Sequence, residues 1–467
     1  MNARPADPEN VLPTADALHN DAHFLRAVTD MAQRESMVAS QAIYSASGIK
    51  LLEQGGAVDG RLYERLMQHR LAGAIDEHLM ASNAVDIPAL EAKMLLLSST
   101  TQLGQQLQRY LQELHPQLQS ALRDVVWPAQ ASFKLTVMRH QMPELYEHSV
   151  LMMMVAVALG LQQNLSSAAC ADLAAAALLH DVGMLYMPRS WMNPRHKLTP
   201  QETKQLAAHS ITGMLVVRGA KVYGPDVENA VLEHHERMDG SGYPRGLQGA
   251  DISPLGRILM LAEVVTAFYS KEADLPAQRL SLALRMNRHR FDMALVQQVF
   301  ALLGPAALGD EAASGHTPSP QQLRLLMGSL ASLLQRWTHT RHGFVDKWHT
   351  LKGGRAAMFV DSRLLALEQS LAESGLHPRQ QVDWQGLLQT DPGCVTELLL
   401  IGQEALWQID HCVNACLRRW PQLVAVPSDA TYSPVELGMQ QWLQHARQVL
   451  AQAQQHLQPQ ASAAPVQ

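Results

Sequence analysis

The chain has 467 residues, too many for one ordinary core, so two or three domains are expected. Its net charge of −6 leaves no large basic patch and argues against a nucleic-acid duplex as a partner. Aromatic residues are only 5% of the chain while Leu, Ala, Gln and Met abound, which favours a mainly α fold, because straight-chain side chains lose little rotamer freedom in a helix.

The four cysteines, Cys170, Cys394, Cys412 and Cys416, form no CxxC pair, so a reducing cytoplasm is the simplest location. The N-terminus is polar and proline-rich and lacks the apolar stretch of a signal peptide. Apolar runs such as 150–159 are too short to cross a bilayer, so no membrane span is expected.

In chain order, residues 1–22 read as a flexible tail. The region 23–119 contains QAIYSASGIKLLEQGGAVD, where Ser-Gly and Gly-Gly punctuate short apolar runs and predict a small β-hairpin near the N-terminus. Gln- and Leu-rich helical patterns follow, as at 103–118. The region 120–305 is helical with clear stops. Pro143 predicts the first position of a helix that runs to Leu159, with Gly160 as its stop. Thr199-Pro200-Gln201-Glu202 is a capping box and opens a helix expected to carry His209. Gly224-Pro225 precedes a helix expected to include His234 and His235, and Ser253-Pro254 opens one carrying Glu263. A Ser-, Pro- and Gly-rich linker occupies 306–320. The region 321–457 is helical, and its tryptophans 337, 348, 384, 407, 420 and 442 read as core or interface anchors. Cys412 and Cys416 read as small core hydrophobes. Residues 458–467 read as a disordered tail.

The chemistry lies in the middle region. ALLHDVGMLYMP, at 177–188, sets adjacent His180 and Asp181 at the end of an apolar helix, which looks like half of a metal site. Glu144 and His148 are four residues apart and share a helix face. His209, His234, His235 and Glu263 are scattered, so only the fold could gather them. A lone histidine among 21 carries little weight; the joint pattern does. Imidazole and carboxylate without thiolate suit iron, manganese or zinc, and two or more such ions would clamp a phosphoester for hydrolysis.

This ordered series resembles the HD-GYP family, a branch of the HD phosphohydrolase superfamily, over about 135–303. The most specific part is EHHERMDGSGYPRGLQGADISPLGRI, at 233–258, which is similar to the family's HHExxDGSGYPxGLxGxxI signature. Upstream, E-x3-H, then HD, then a single His follow the family's ligand order, and RFDMALVQQVFALLG at 290–304 is similar to its closing helix. The resemblance implies a central all-helical HD-type domain that hydrolyses cyclic di-GMP, to the linear dinucleotide or GMP, with two or three divalent metal ions, iron or manganese foremost. It implies the ligands Glu144, His148, His180, Asp181, His209, His234, His235 and Glu263. Within that set it gives Glu144 to a third metal, makes Asp181 a bridge between two ions, and rests catalysis on His180 and Asp181. It links the loop bearing Asp239, Gly240, Gly242, Tyr243 and Pro244, and Arg257 beyond it, to contacts with substrate or with a GGDEF-domain partner. Region 23–119, through GIKLLEQGG, is similar to N-terminal extensions of some HD-GYP proteins, which implies a regulatory or dimerising module and an expected homodimer.

Three departures stand against this pattern. The family's HDxGK reads HDVGM, so Met184 replaces a lysine that would meet the scissile phosphate; a thioether carries no charge and donates no hydrogen bond. Losing such a donor costs about a hundredfold in rate, roughly 3 kcal/mol. The family's VADxxDA reads LAEVVTA, with Glu263 at the aspartate ligand and Thr266 at the second aspartate. The arginine-bearing RPYR segment is absent, with Lys271 or Arg279 as candidate substitutes. These departures imply an alternative: an impaired signalling module that binds cyclic di-GMP or a GGDEF partner without turnover.

Overall fold

The computed structural model describes residues 18–304 and 319–457, apart from 59, 112–114, 194, 271–274, 374–376, 378–391 and 424–431. The expectations for 1–17, most of the linker, Lys271, Trp384 and the last ten residues lie outside the described residues. The chain is mainly helical and divides into two compact units. The first takes in Met1–Asp274 and Arg288–Leu303; the second takes in Leu275–Asn287 and Gly304–Gln467. Helix Pro276–Met286 thus lies inside 120–305 in sequence but belongs to the second unit, while region 23–119 shares a unit with the histidine cluster.

The first unit is built around helix Pro143–Gln162, which packs against helices Ser167–Leu179 and Pro254–Ser270. Proline at its first turn and Glu144 beside the positive helix end favour initiation there. Every residue from 149 to 160 is buried, including Met152, Met153 and Met154. Gly160 does not end this helix. It is interior, where an added Cβ would press on Leu173. The stop is Asn164, left-handed at φ 57°, after which the Leu165 amide donates back to the Gly160 carbonyl at 3.0 Å. The helix therefore outgrows its expected end. By length and composition it could cross a membrane, as could 167–186, yet 72% of the relevant window is buried inside the unit, as in the core helix of a globular domain.

The predicted hairpin is present: Ile43–Tyr44 pairs antiparallel with Lys50–Leu52, closed by Ser45 N–H donating to the Ile49 carbonyl. A second pair, Met37–Ala39 with Leu79–Ala81, joins strands some forty residues apart, so no local pattern announces it. Asp21, at the edge of the expected tail, caps helix Ala22–Met31 by accepting the His23 and Phe24 amides. A buried Lys134–Asp76 ion pair and a bond from the Val85 amide to Thr136 Oγ1 fasten this region to helix Ala129–Gln141.

The second unit gathers helices Pro276–Met286, Pro320–His342, Gly354–Glu373, Pro392–Arg419 and Pro434–Leu457 around its own apolar core. Trp337 and Trp442 are buried edge to face, and each indole N–H finds an acceptor, Asp361 Oδ1 at 3.0 Å and the Leu333 carbonyl at 3.3 Å. Cys412 and Cys416 lie in this core, where burial pushes both thiols up to about 12. Trp407 lies outside this core: it is exposed and stacks on His411.

Candidate metal centre

The capping box at Thr199 and Glu202 forms as expected, but its helix, Pro200–Leu206, ends before His209. His209 instead opens a second helix, His209–Gly219. His234 and His235 also sit outside their helix, in the turn that follows Pro225–Glu233. His180 closes helix Ser167–Leu179, and Asp181 leads into the tight turn Val182–Tyr186. Helix ends supply the sharp changes of direction that aim side chains from separate elements at one point.

Two groups result. Asp181, His209, His234 and His235 offer ligand atoms within 4.8 Å of one another, and so do His148, His180 and Glu263. Asp181 joins them. Its Oδ1 lies 3.1 Å from His209 Nε2 and 3.7 Å from His234 Nε2, while its Oδ2 lies 3.3 Å from His180 Nε2. Glu263 Oε2 is 2.8 Å from His148 Nε2 and 3.6 Å from His180 Nε2. Seven of the eight expected ligands therefore converge. Glu144 belongs to neither group; it is exposed in the first turn of its helix, four residues before His148.

The imidazoles are held in one tautomer. Nδ1 of His180, His209 and His234 contacts the carbonyls of Ala177, Leu206 and Val231 at 2.6–2.7 Å, each three residues back. A carbonyl only accepts, so each Nδ1 carries the proton and each Nε2 presents its lone pair inward. Those lone pairs crowd: His209 Nε2 is 3.3 Å from His234 Nε2 and 3.1 Å from His235 Nε2. His180 Nε2 and Asp181 Oδ1 are buried and make no hydrogen bond despite these neighbours. Atoms this close that are not donor and acceptor fit co-ligands of a cation. The donor set of nitrogen and carboxylate oxygen passes the same test, so the cluster can hold metal.

The electrostatics agree. Burial works against the charged form of Asp181, but His180 and His209 outweigh it and hold the carboxyl well below its usual range. Glu263 is likewise held down by His148 against its burial. Burial, with His180 and His209 nearby, pushes His234 down to about 3, and burial with His234 pushes His235 well below its usual value. Burial opposes a charge on His148 and His209 too, but the Glu263 and Asp181 carboxylates raise both.

Backbone contact sets this geometry. Gly183 lies so close to the His209 helix that an added Cβ would strike the His209 carbonyl, and Gly213 faces the His180 carbonyl from the other side. The signature loop is held by two buried acids. Glu236 accepts the amides of Arg245 (2.7 Å) and Leu247 (3.0 Å); Glu233 accepts the Ser253 amide and pairs with Arg245. Gly242 passes so tightly over Glu236 that only a missing side chain fits. Asp239 accepts the Ser241 amide in a local turn, Gly240 is left-handed at φ 75°, and Pro244 follows Tyr243 at the loop's tip. Tyr243 stacks on His235 with ring centres 4.7 Å apart. The four structural residues Gly183, Gly213, Glu233 and Glu236 are absent from the expected site; Gly183 beside the HD pair and the acids flanking the HH pair carry a local signal, while Gly213, inside the His209 helix, carries none.

The divergent positions are also placed. Met184 is half-buried in the turn after Asp181 and donates its amide to the Asp181 carbonyl. Thr266 is buried, and its hydroxyl donates to the Ala262 carbonyl one turn back. Arg257 donates to the Ile252 carbonyl and lies 3.5 Å from Asp292. Arg279 belongs to the second unit, where it donates to Gln403.

Residues 135–295 match a family model described as the HD domain. Over 125 residues, 27% of this chain and 30% of the relative, the sequence is 34% identical to a cyclic di-GMP phosphodiesterase of Pseudomonas aeruginosa. It is 34% identical over 131 residues to a 3'3'-cGAMP-specific phosphodiesterase of Vibrio cholerae, covering 27% of this chain and 29% of that one. It is 36% identical over 110 residues to a cyclic di-GMP phosphodiesterase response regulator of Xanthomonas campestris, covering 23% and 29%. The matches thus span less than a third of each of these relatives. A solved HDG"Y"P protein from Bdellovibrio bacteriovorus aligns over 58% of this chain and 94% of its own at 17% identity, with a TM-score of 0.33.

Proposed function

We propose that this protein is a metal-dependent phosphodiesterase of the HD-GYP type that hydrolyses cyclic di-GMP; residues 135–295 match an HD-domain model and carry both ligand groups. One observation carries the reading: Asp181 presents one carboxylate oxygen to each of two histidine-rich groups. Iron(II) or manganese(II) suits the donors: His209, His234, His235 and Asp181 would hold one ion, and His148, His180 and Glu263, with the other oxygen of Asp181, would hold a second. When bound, such ions supply Lewis-acid stabilisation of charge on phosphate oxygens.

The chain's own residues do the rest. The Ala177, Leu206 and Val231 carbonyls orient three imidazoles before any ion arrives, so little reorganisation is left to ligation. Tyr243 fixes the ring plane of His235. Three of the histidines named here, His180, His209 and His234, are buried, which excludes water from their nitrogens. The substrate is drawn from the relatives: two of the three just described are named for cyclic di-GMP and one for a cyclic GMP–AMP dinucleotide.

The test is direct. Purified protein reconstituted with Fe(II) or Mn(II) is assayed for metal content and for cyclic di-GMP and 3'3'-cGAMP turnover by chromatography. Bound metal with turnover that disappears in His180→Ala and Asp181→Ala supports the reading. Stoichiometric metal with no turnover of either dinucleotide rejects it. Met184 favours a second reading in that case, binding of the dinucleotide or of a GGDEF-domain partner without hydrolysis, which calorimetry and pull-down would detect.

A further inference from the structure

A half-buried cation, Arg237, stands beside the histidine cluster. It lies two residues after His235, in the loop that folds back over the cluster. The Tyr243 amide donates to the His235 carbonyl at 3.1 Å, and Gly242 packs on the Arg237 backbone. That path lays the Tyr243 ring over two of the proposed ligands, stacked on His235 and edge-on to His209 with ring centres 6.4 Å apart. Burial raises the Tyr243 hydroxyl, Asp181 raises it further, Arg237 opposes, and Glu263 adds to the rise. The arginine thus shares a neighbourhood with ligands of both metal groups.

The carboxylates around Arg237 are engaged elsewhere. Glu236 accepts two loop amides, and Glu233 pairs with Arg245. Asp239 accepts the Ser241 amide and lies 3.5 Å from His289, while Glu263 faces His148 and His180. Among the described residues, Arg237 forms no ion pair. Its guanidinium donates once, to the Glu236 carbonyl at 2.6 Å, and rests 5.7 Å from the centre of the Phe291 ring. A guanidinium carries five N–H donors in a rigid fork, so most are unspent on protein. Burial, with Arg290 nearby, pushes it down to about 10 against the pull of Glu263, which leaves it charged at neutral pH. A partly desolvated cation without a counter-ion is costly, and an anion entering the site offsets that cost. The other two arginines of 233–258 are taken: Arg245 by Glu233, and Arg257 by the Ile252 carbonyl and Asp292.

We propose that Arg237 binds the substrate's phosphate, its fork donating to the non-bridging oxygens, and so supplies the positive charge that Met184 does not bring. This rests on the phosphodiester reading of the metal centre. Planar bidentate donation matches two oxygens on one phosphorus, which a point charge cannot do. The arginine neither takes nor gives a proton; its charge counts most as negative charge grows on the phosphoryl oxygens. A purely structural arginine would instead only brace the loop, through the Glu236 carbonyl and the Phe291 ring.

Inorganic phosphate is the probe, titrated by calorimetry into the full chain loaded with Mn(II), with bound metal quantified in every variant. Arg237→Gln keeps an N–H donor but loses the charge, and should bind phosphate about tenfold to a hundredfold more weakly at unchanged metal content. Arg237→Lys keeps the charge but not the fork, and should weaken binding about threefold. Wild-type affinity in either metal-loaded variant overturns the proposal, and so does a wild-type protein that holds Mn(II) but binds no phosphate. If Arg237→Gln sheds metal or does not fold, Arg237→Lys decides alone. The titration needs no turnover, so the two readings fail separately. A chain that binds phosphate through Arg237 but cleaves no dinucleotide rejects the phosphodiesterase and keeps the arginine. A chain that hydrolyses cyclic di-GMP with phosphate affinity untouched by both substitutions does the reverse.

Discussion

At the scale of single residues, the metal ligands and the phosphate contacts part company. The inward Nε2 atoms and the two carboxylates form a complete donor set. Met184, next to Asp181 through one hydrogen bond, brings no charge. Met184→Lys should therefore raise the rate of cyclic di-GMP hydrolysis, by about tenfold or more given what a donor to developing charge is worth, with metal content unchanged. Steady-state kinetics on metal-quantified samples check this, and an equal or lower rate would refute the role given to Met184. Protons also act residue by residue. His234 is held down to about 3 and His235 is shifted the same way, so the unfolded chain takes up those protons first. In metal-free protein this contribution is whole above the unfolded histidine value of about 6.5 and is lost as the pH falls from there towards 3. His148 and His209 are raised by the Glu263 and Asp181 carboxylates and act in the opposite direction. The urea midpoint of the metal-free protein should thus be lower at pH 5 than at pH 7.5; a rise would contradict the assignment of buried neutral imidazoles.

At the scale of elements, the site depends on where helices stop and how closely they cross. The capping box, the proline at position 143 and the Ser253-Pro254 start were all readable, because caps and prolines act on the nearest turn. The stops were not. Gly160 looked like a terminator but is a packing glycine, since a terminator needs a left-handed backbone and Asn164 has it. The break between Leu206 and His209 carries no glycine or proline, so the sequence reads as one helix where the structure has two. Close crossing is tested by Gly183→Ala. The added Cβ meets the His209 carbonyl, backbone that cannot move aside cheaply. The variant should lose about 1–3 kcal/mol of stability and part of its metal. Urea unfolding with metal analysis measures both, and a fully stable, fully loaded variant would show that the crossing is looser than described.

At the scale of the whole molecule, there are two cores, one around Pro143–Gln162 and one around Trp337 and Trp442. Only the first holds the histidine groups. A ligand that binds the folded state stabilises the unit that binds it. Removing metal with a chelator should lower one calorimetric transition by several degrees and leave the other in place. A single transition that moves as a whole would mean that the two units unfold together.

What the amino-acid sequence determined by itself is the chemistry available: which residues are imidazole or carboxylate, their order along the chain, and the helical character around them. Composition, caps and motif spacing are local properties, so they survive without a fold. Only the tertiary structure decided which of eight candidates meet. It brought seven together, left Glu144 in solvent, and made one carboxylate face both groups. It also decided that Glu233 and Glu236 build the loop, and that helix Pro276–Met286 joins the second core. The physical reason is range. Convergence depends on contacts between residues tens of positions apart, set by how closely backbones such as Gly183 and the His209 helix can approach, and no local pattern encodes that distance.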